Sequence, residues 1–186
     1  MRILIPALVL VAAATLTARA YKEGPFPNMA GGFGDKNCRT CHFDNPLNAA
    51  GGQLTVAGIP ATYAAGQEYP ITITIARNDL HRGGFEIVAR FVNGKLKGKQ
   101  AGEWRLPDKR LQLIRSTIDP TLLFVQHNLL GSRASSPGAN TWTVEWIAPV
   151  PAGPVQFNIA GNASNEDDSA LGDFIYVKSA RSVPAH

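Results

Sequence analysis

The residues with the clearest chemical potential stand together early in the chain, in the run Cys38-Arg39-Thr40-Cys41-His42. This C-x-x-C-H spacing is the attachment signature of c-type haem. Two thiols on one turn can reach the two vinyl groups at one porphyrin edge, and the imidazole that follows can bind the iron from one face. The run therefore predicts one covalent haem c, attached through Cys38 and Cys41, with His42 as the proximal iron ligand.

Other interpretations of the same cysteines have less physical support. A thioredoxin-like dithiol needs a βαβ context, and the sequence predicts no crossover helix. A zinc site needs further ligands at metal spacing, yet the chain has only 2 Cys and no second Cys/His pair. A Cys38–Cys41 disulfide would close too small a loop to add much stability. Such a disulfide would define a haem-free extracellular binding module, which stays open as an alternative function.

The ligand on the other side of the iron is less determined by the sequence. His127 lies in the run 124–129, where it shares a strand face with Val125 and Leu129. It is predicted as the distal ligand because a buried haem needs a second partner. Met29, in a glycine-rich loop near the motif, is the alternative ligand. If neither residue binds, the haem is five-coordinate, which would suit a sensor or a peroxidase-like enzyme.

Two further histidines and two aromatic residues are also candidates. His81 follows a predicted turn, and His186 is the last residue, where disorder is the default. Phe33 and Phe43 flank the motif and are predicted cofactor-binding residues, because rigid aromatic surfaces can cover the porphyrin faces. The alternative role for these two aromatic side chains is to dock the loop onto the rest of the protein.

Composition bounds the scaffold that must position these residues. The chain has 186 residues, of which 45% are apolar and 17% charged. This length suits one domain with a sizeable core, the apolar share argues against disorder, and the low charge argues against a coiled coil. The formal net charge is only +4, so charge gives no reason to expect a nucleic-acid partner.

Residues 1–20 are predicted to be an export signal. Arg2 gives a positive start, an apolar stretch follows, and Ala18-Arg19-Ala20 forms a small-x-small cleavage site. The apolar stretch is shorter than the roughly 20 residues that span a bilayer, so no stable membrane span is predicted. The protein is therefore expected in the periplasm or outside the cell.

The rest of the chain falls into two parts that differ in composition and in hydrophobic pattern. Residues 21–52 are rich in Gly and Pro without apolar periodicity, so they are predicted to be a haem-attachment loop segment lying on another part of the protein. Residues 53–186 hold about eight short runs, most of them alternating apolar and polar residues, which predict an all-β, immunoglobulin-like sandwich. Trp142, Val144 and Trp146 share one strand face and are predicted to be core. The predicted strands are 54–56, 69–75, 85–91, 111–118, 122–130, 141–147, 155–160 and 174–178.

An acidic run near the end of the chain is the other place where side chains could bind an ion. Glu166 to Asp168 and the nearby Asp173 offer several oxygen ligands. Their spacing is not that of an EF-hand loop, so a calcium site and a solvated acidic turn both stay open. No G-x-S-x-G, H-E-x-x-H or P-loop pattern is present in the sequence, so hydrolase and nucleotide-binding functions have no support.

The same residues belong to a wider resemblance that covers nearly all of the chain after residue 20. The matching segments are Gly31-Gly32-Phe33-Gly34, Cys38-x-x-Cys41-His42-Phe43-Asp44, Pro46-Leu47-Asn48, Gly84-Phe85-Glu86-Ile87 and Gly172-Asp173, with Tyr69 and the runs 142–149 and 160–165. Through them the chain resembles exported bacterial proteins in which a haem-type C-x-x-C-H precedes a Reeler (reelin N-terminal-like) β-sandwich. The resemblance implies this fold and the haem. Members often carry a His-Thr pair where this chain has His127-Asn128.

These patterns together predict an exported monohaem c-type cytochrome. Its expected function is one-electron transfer with other redox proteins, cytochromes among them, which makes it an electron carrier more than an enzyme. The distal ligand and the burial of the haem would set its reduction potential, and two nitrogen ligands would give a lower potential than a His/Met pair.

Overall fold

The computed structural model describes residues 21–185, so the predicted export signal at 1–20 and His186 lie outside the described residues. Within the described residues the chain forms twelve strands and two short 3-10 helices. The strands are β1 (Ala30–Gly32), β2 (Asp35–Asn37), β3 (Gly52–Ala57), β4 (Thr62–Tyr63), β5 (Glu68–Arg77), β6 (Arg82–Phe91), β7 (Glu103–Arg105), β8 (Leu111–Arg115), β9 (Leu123–His127), β10 (Ala139–Ile147), β11 (Val155–Ser164) and β12 (Phe174–Pro184). The 3-10 helices are Cys38–Thr40 and Gly94–Leu96. Between residues 21 and 185 there is no helix of the length and apolarity that a membrane span requires.

The strands form two large sheets and one small hairpin. One sheet has the order β3-β5-β10-β7, and the other has the order β4-β12-β11-β6-β9-β8. Neighbouring strands are antiparallel except for β4 and β12, which run parallel. Because side chains from both sheets meet in one buried cluster, the predicted all-β sandwich is confirmed. Strands β1 and β2 pair with each other as a separate hairpin.

The core is centred on the pairing of β5 with β10. Ile73 lies opposite Trp142, and Ile71 lies opposite Val144, in the antiparallel register that alternation predicts. All four side chains are fully buried, as is Trp146, so the predicted core face of β10 is confirmed. The second sheet fills the other half of this core with Phe85, Ile87, Phe157 and Ile159.

Strand β6 is buried along both faces, and this feature joins segment 21–52 to the sandwich. On the outer face Val88 packs with Ala30 of β1 in a second apolar cluster. On the same face Arg90 forms an ion pair with Asp35 of β2, with the two side chains only 4% and 8% exposed. The segment therefore lies on the outer face of the six-stranded sheet.

The structure adds four strands to the eight that the alternating pattern predicts. Strands β4 and β7 contain two and three residues, too few for a period of two to be visible. The β1–β2 hairpin arises inside the predicted loop because Phe33 and Gly34 both adopt left-handed conformations, at φ 52° and 88°, in a two-residue turn. The predicted strand 122–130 ends at His127, because Asn128 begins a turn whose backbone N–H groups it binds.

Candidate cofactor site

The C-x-x-C-H run folds as a single tight turn. The side chain of Asn37 accepts a hydrogen bond from Arg39 N at 2.9 Å and thereby caps the 3-10 helix Cys38–Thr40. The backbone N–H groups of Cys41 and His42 both donate to Cys38 O, at 3.2 and 3.1 Å. Both cysteines are free thiols. The turn therefore holds two thiols one turn apart, with the imidazole directly after them.

This turn opens onto a pocket between segment 21–52 and the end of the six-stranded sheet. The pocket is a cleft with about 770 Å³ of space between its atoms, a volume that includes open solvent. The lining residues are Tyr21, Lys22, Pro25, Phe26, Met29, Cys38, Cys41, His42, Arg82, Gly83, Gly84, Phe85, His127, Ser132, Asn162, Ser164, Glu166 and Asp168. Both cysteines, both predicted histidine ligands and the alternative ligand Met29 thus share one pocket.

The imidazole of His42 is oriented by a buried carboxylate. Its Nδ1 lies 2.8 Å from Oδ2 of Asp173, which is fully buried between β11 and β12. The amide of Asn162 donates to the same carboxylate oxygen at 3.0 Å. With Nδ1–H donating to Asp173, the other nitrogen of His42, Nε2, keeps a lone pair that can bind a metal.

The imidazole of His127 is buried and also has one nitrogen in use. Phe85 N donates to its Nδ1 at 3.0 Å, and Phe85 O lies 3.3 Å from the same atom, so the backbone of one residue can satisfy either tautomer. Among the described residues Nε2 has no hydrogen-bond partner. Burial lowers the pKa of His127 to about 4, so the ring is neutral at pH 7, the form in which histidine binds metals.

Gly84 lets His127 reach this position. A Cβ on Gly84 would lie 2.5 Å from Cε1 of His127. A Cβ on Gly83 would lie 2.8 Å from Cβ of Asn140. Real side chains do not approach so closely, so any other residue at Gly84 would have to displace the ring. Gly84 therefore makes room for the histidine at the pocket wall, while Gly83 makes room for Asn140.

Beneath the pocket lies a buried acid. Oε1 of Glu86, which is fully buried, accepts a hydrogen bond from Met29 N at 2.8 Å. Burial raises the pKa of Glu86 to about 8, against the opposing effect of backbone N–H donors from Met29 and Ala30. Burial also raises the pKa of the Cys38 thiol to about 12. At neutral pH Glu86 and the Cys38 thiol are therefore both largely uncharged.

The raised pKa of Glu86 makes a prediction about stability and pH. Since the folded state holds this proton up to about pH 8 and the unfolded chain releases it near its ordinary pKa of 4.5, the free energy of unfolding falls as the pH rises between these values. Asp35 and Arg90 are the charged neighbours that also act on this carboxyl. Glu86→Gln should abolish this loss and be more stable than the wild type at pH 8, by at least about 1 kcal/mol.

Urea unfolding of both proteins at pH 5 and pH 8 measures this difference. At pH 5 the two proteins should be nearly equal in stability. Glu103→Gln, at an exposed position of β7, is the matched control and should keep the pH dependence of the wild type. The prediction would be contradicted if Glu86→Gln lost as much free energy of unfolding between pH 5 and pH 8 as the wild type does.

The two predicted aromatic contacts lie elsewhere. Phe33 is at the tip of the β1–β2 hairpin, where the Arg90 guanidinium lies 5.4 Å from its ring centroid, and it does not line the pocket. Phe43 is 58% exposed and also lies outside the pocket lining. The aromatic wall is formed by Tyr21 and Phe26, whose ring centroids are 4.8 Å apart. Phe33 thus docks the segment, which was the alternative role for it.

The acidic run does not converge. Asp168 pairs with Lys22, Asp167 accepts a hydrogen bond from Ser169 N, and Asp173 turns inward to His42. Within residues 21–185 no three His, Cys, Asp or Glu side chains are grouped so that they could hold a bare metal ion. The candidate histidine His81 is exposed at the start of β6 and lies outside the pocket lining.

Sequence reasoning missed several residues of this site. The most important is Asp173, which the acidic run suggested as a calcium ligand and which lies 131 positions after its partner His42. Others are Asn162, the Gly83-Gly84 pair and Glu86. Gly84, Glu86 and Asp173 stand in segments that carry the family resemblance, and that was the available signal for them.

Comparisons with known proteins bear on the fold. No family model matches the chain, and no curated protein matches it in sequence. Among solved structures it is similar to the human F-spondin reeler domain, with 21% identity over 76% of this chain and 95% of that one and a TM-score of 0.47. A second structure, the Reelin-N domain of F-spondin, gives 19% identity over 80% and 97% of the two chains, with a TM-score of 0.47.

A bacterial module of another kind is similar as well. The cohesin module from a Clostridium perfringens family 33 glycoside hydrolase shares 11% identity with the chain, over 74% of this chain and all of that one, with a TM-score of 0.45. Likenesses at these values concern the β-sandwich fold alone.

Proposed function

We propose that this protein is an exported monohaem c-type cytochrome that transfers single electrons to or from other redox proteins. One observation carries the proposal: the C-x-x-C-H turn and the buried His127 open onto the same pocket. The sequence motif places the two thiols and His42 within five residues, whereas His127 lies 85 positions further along the chain. A second unused histidine nitrogen in that pocket is what a six-coordinate haem requires.

The residues of the pocket fit such a group. His42 has its Nδ1 against Asp173, and His127 can donate its Nδ1–H to Phe85 O, 3.3 Å away, the tautomer that leaves Nε2 a lone pair for iron. Cys38 and Cys41 would hold the haem by thioether bonds, each thiol adding its sulfur to one carbon and its hydrogen to the other carbon of one vinyl group, with no leaving group. When bound, the haem supplies a one-electron iron couple.

The surrounding side chains determine what that couple can do. Pro25, Phe26 and Phe85 give the pocket an apolar wall, which keeps water from part of the cofactor. Lys22 and Arg82 stand among its lining residues, each paired with an acid of the β11–β12 loop. The pocket is open to solvent on one side, so a partner's redox centre can approach it. If His42 and His127 both bound the haem iron, electron transfer would be favoured over ligand binding.

The deciding experiment is the intact mass and visible spectrum of the protein produced in cells that have the cytochrome c maturation machinery. Because thiol addition expels nothing, the mass should exceed that of the polypeptide by one whole haem. The double variant Cys38→Ala/Cys41→Ala should have neither the added mass nor the colour. A wild-type protein that is colourless and two hydrogens lighter than its reduced chain would reject the cytochrome and identify the disulfide-bonded binding module.

A further inference from the structure

Asp173 is the one fully buried carboxylate of the site whose charge points directly at a predicted iron ligand. Its Oδ2 lies 2.8 Å from Nδ1 of His42, and its side chain has no exposed surface. The contact joins two distant parts of the chain. His42 precedes strand β3, and Asp173 directly precedes strand β12. The inference drawn from it rests on the proposed function.

The hydrogen bonds around this carboxylate hold it in place without neutralising it. The amide of Asn162 donates to Oδ2 at 3.0 Å, and the backbone N–H of Asn165 donates to Oδ1 at 3.3 Å. In the part of the chain that the structure describes, neither Lys nor Arg forms an ion pair with it. The nearest compensation for its negative charge is therefore the N–H of His42.

A second contact fixes the same residue to the attachment segment. The side chain of Asn45 donates to Asp173 O at 2.9 Å, so the backbone of Asp173 is tied to the loop that follows His42. The imidazole and the carboxylate are thus held together from both sides. The pair does not depend on a long flexible side chain.

We propose that Asp173 is a positioning residue that makes His42 an unusually strong donor to the haem iron and so lowers the reduction potential of the protein. A carboxylate that accepts Nδ1–H fixes the tautomer with Nε2 free and shifts electron density toward Nε2. A more basic axial nitrogen stabilises ferric iron relative to ferrous iron. Reduction takes its single electron from the external reductant and leaves the Nδ1 proton on the His42–Asp173 pair.

Spectroelectrochemical titration of the haem-loaded protein tests this assignment. Asp173→Asn keeps an oxygen to accept the Nδ1–H but removes the charge, so the equilibrium constant for one-electron reduction should rise at least about tenfold, a shift of ~59 mV toward positive potential. Asp167→Asn removes a carboxylate from the same loop, where Asp167 bonds only to Ser169 and Asn165, and should change the constant less than about twofold.

A second variant, expected to shift the reduction potential in the negative direction, keeps the proposal testable if Asp173→Asn does not fold. Asn162→Ala removes a competing donor to Oδ2, so Asp173 should bind His42 more strongly and the potential should move in the negative direction. Haem-loaded variants that keep the wild-type potential, or that both shift in the same direction, would overturn the role of Asp173 and leave the cytochrome intact. A wild-type protein without haem would instead overturn the function on which the inference rests.

Discussion

His127→Ala is expected to convert the haem-loaded protein from a low-spin to a high-spin spectrum and to let the ferrous form bind carbon monoxide at neutral pH. The physical reason is that the buried, neutral imidazole can donate its Nδ1–H to Phe85 O and so keeps a lone pair on Nε2 for the iron. Removing the ring vacates one axial position and leaves His42 alone on the iron. Visible absorption spectra of the oxidised, reduced and carbon monoxide-treated protein measure the change.

Two matched variants separate ligation from general damage to the pocket. His81→Ala removes an exposed histidine that does not line the pocket, and it should keep the low-spin spectrum. Met29→Leu should also keep it, whereas loss of the low-spin spectrum in that variant alone would identify Met29 as the ligand. His127→Ala removes the hydrogen bond between the imidazole and the Phe85 backbone, at a cost to stability of about 1–3 kcal/mol, so far-UV circular dichroism should accompany the spectra. An unchanged spectrum in folded His127→Ala would remove His127 from the iron.

Arg90→Ala is expected to reduce the free energy of unfolding by about 3–5 kcal/mol, the cost of leaving one partner of a buried ion pair without the other. Arg90 and Asp35 are both nearly inaccessible to solvent, and Asp35 cannot recover its lost hydration when the guanidinium is removed. The variant also loses the stacking of the guanidinium over Phe124, whose ring centroid lies 5.5 Å away. Urea-induced unfolding followed by tryptophan fluorescence measures the loss.

The matched control is another arginine in an ion pair. Arg105 lies 3.0 Å from Glu68 but is 63% exposed, so Arg105→Ala should cost no more than about 1 kcal/mol. The double variant Arg90→Met/Asp35→Leu removes both charges and should recover most of the stability lost in Arg90→Ala. Equal losses for the two arginines would show that the pair on β6 contributes no more than one at the surface.

The sandwich could be predicted because its signal is local. Runs such as 69–75 alternate apolar and polar residues, and Trp142, Val144 and Trp146 mark one buried face without reference to any other strand. The hairpin of Ala30–Gly32 with Asp35–Asn37 could not be predicted in the same way. Its strands carry no alternating pattern, and it is held by a turn at Phe33-Gly34 and by contacts to β6.

The residues of the site likewise differ in whether a local sequence signal predicts them. The C-x-x-C-H turn is encoded in five consecutive residues, so the haem attachment proposed for it could be predicted from spacing alone. His127 could be proposed only as one of several candidates, because sequence does not reveal which histidine the fold brings to the pocket. The role of Asp173 stayed open between a calcium ligand and a solvated turn residue, because an acidic run looks alike whether its members face water or turn inward to a histidine 131 positions earlier.

Strand β6 is buried on both faces, and this limits how segment 21–52 and the sandwich could have been combined in evolution. If segment 21–52 were exchanged for that of another sandwich protein, Val88 would become exposed to water and Arg90 would lose Asp35. The outward residues of the sheet would therefore have to change together with the incoming segment. Grafting the attachment turn onto an unrelated sandwich should accordingly fail unless the receiving strand carries a matching apolar and charged pair, which makes the segment and its sheet a single unit of inheritance.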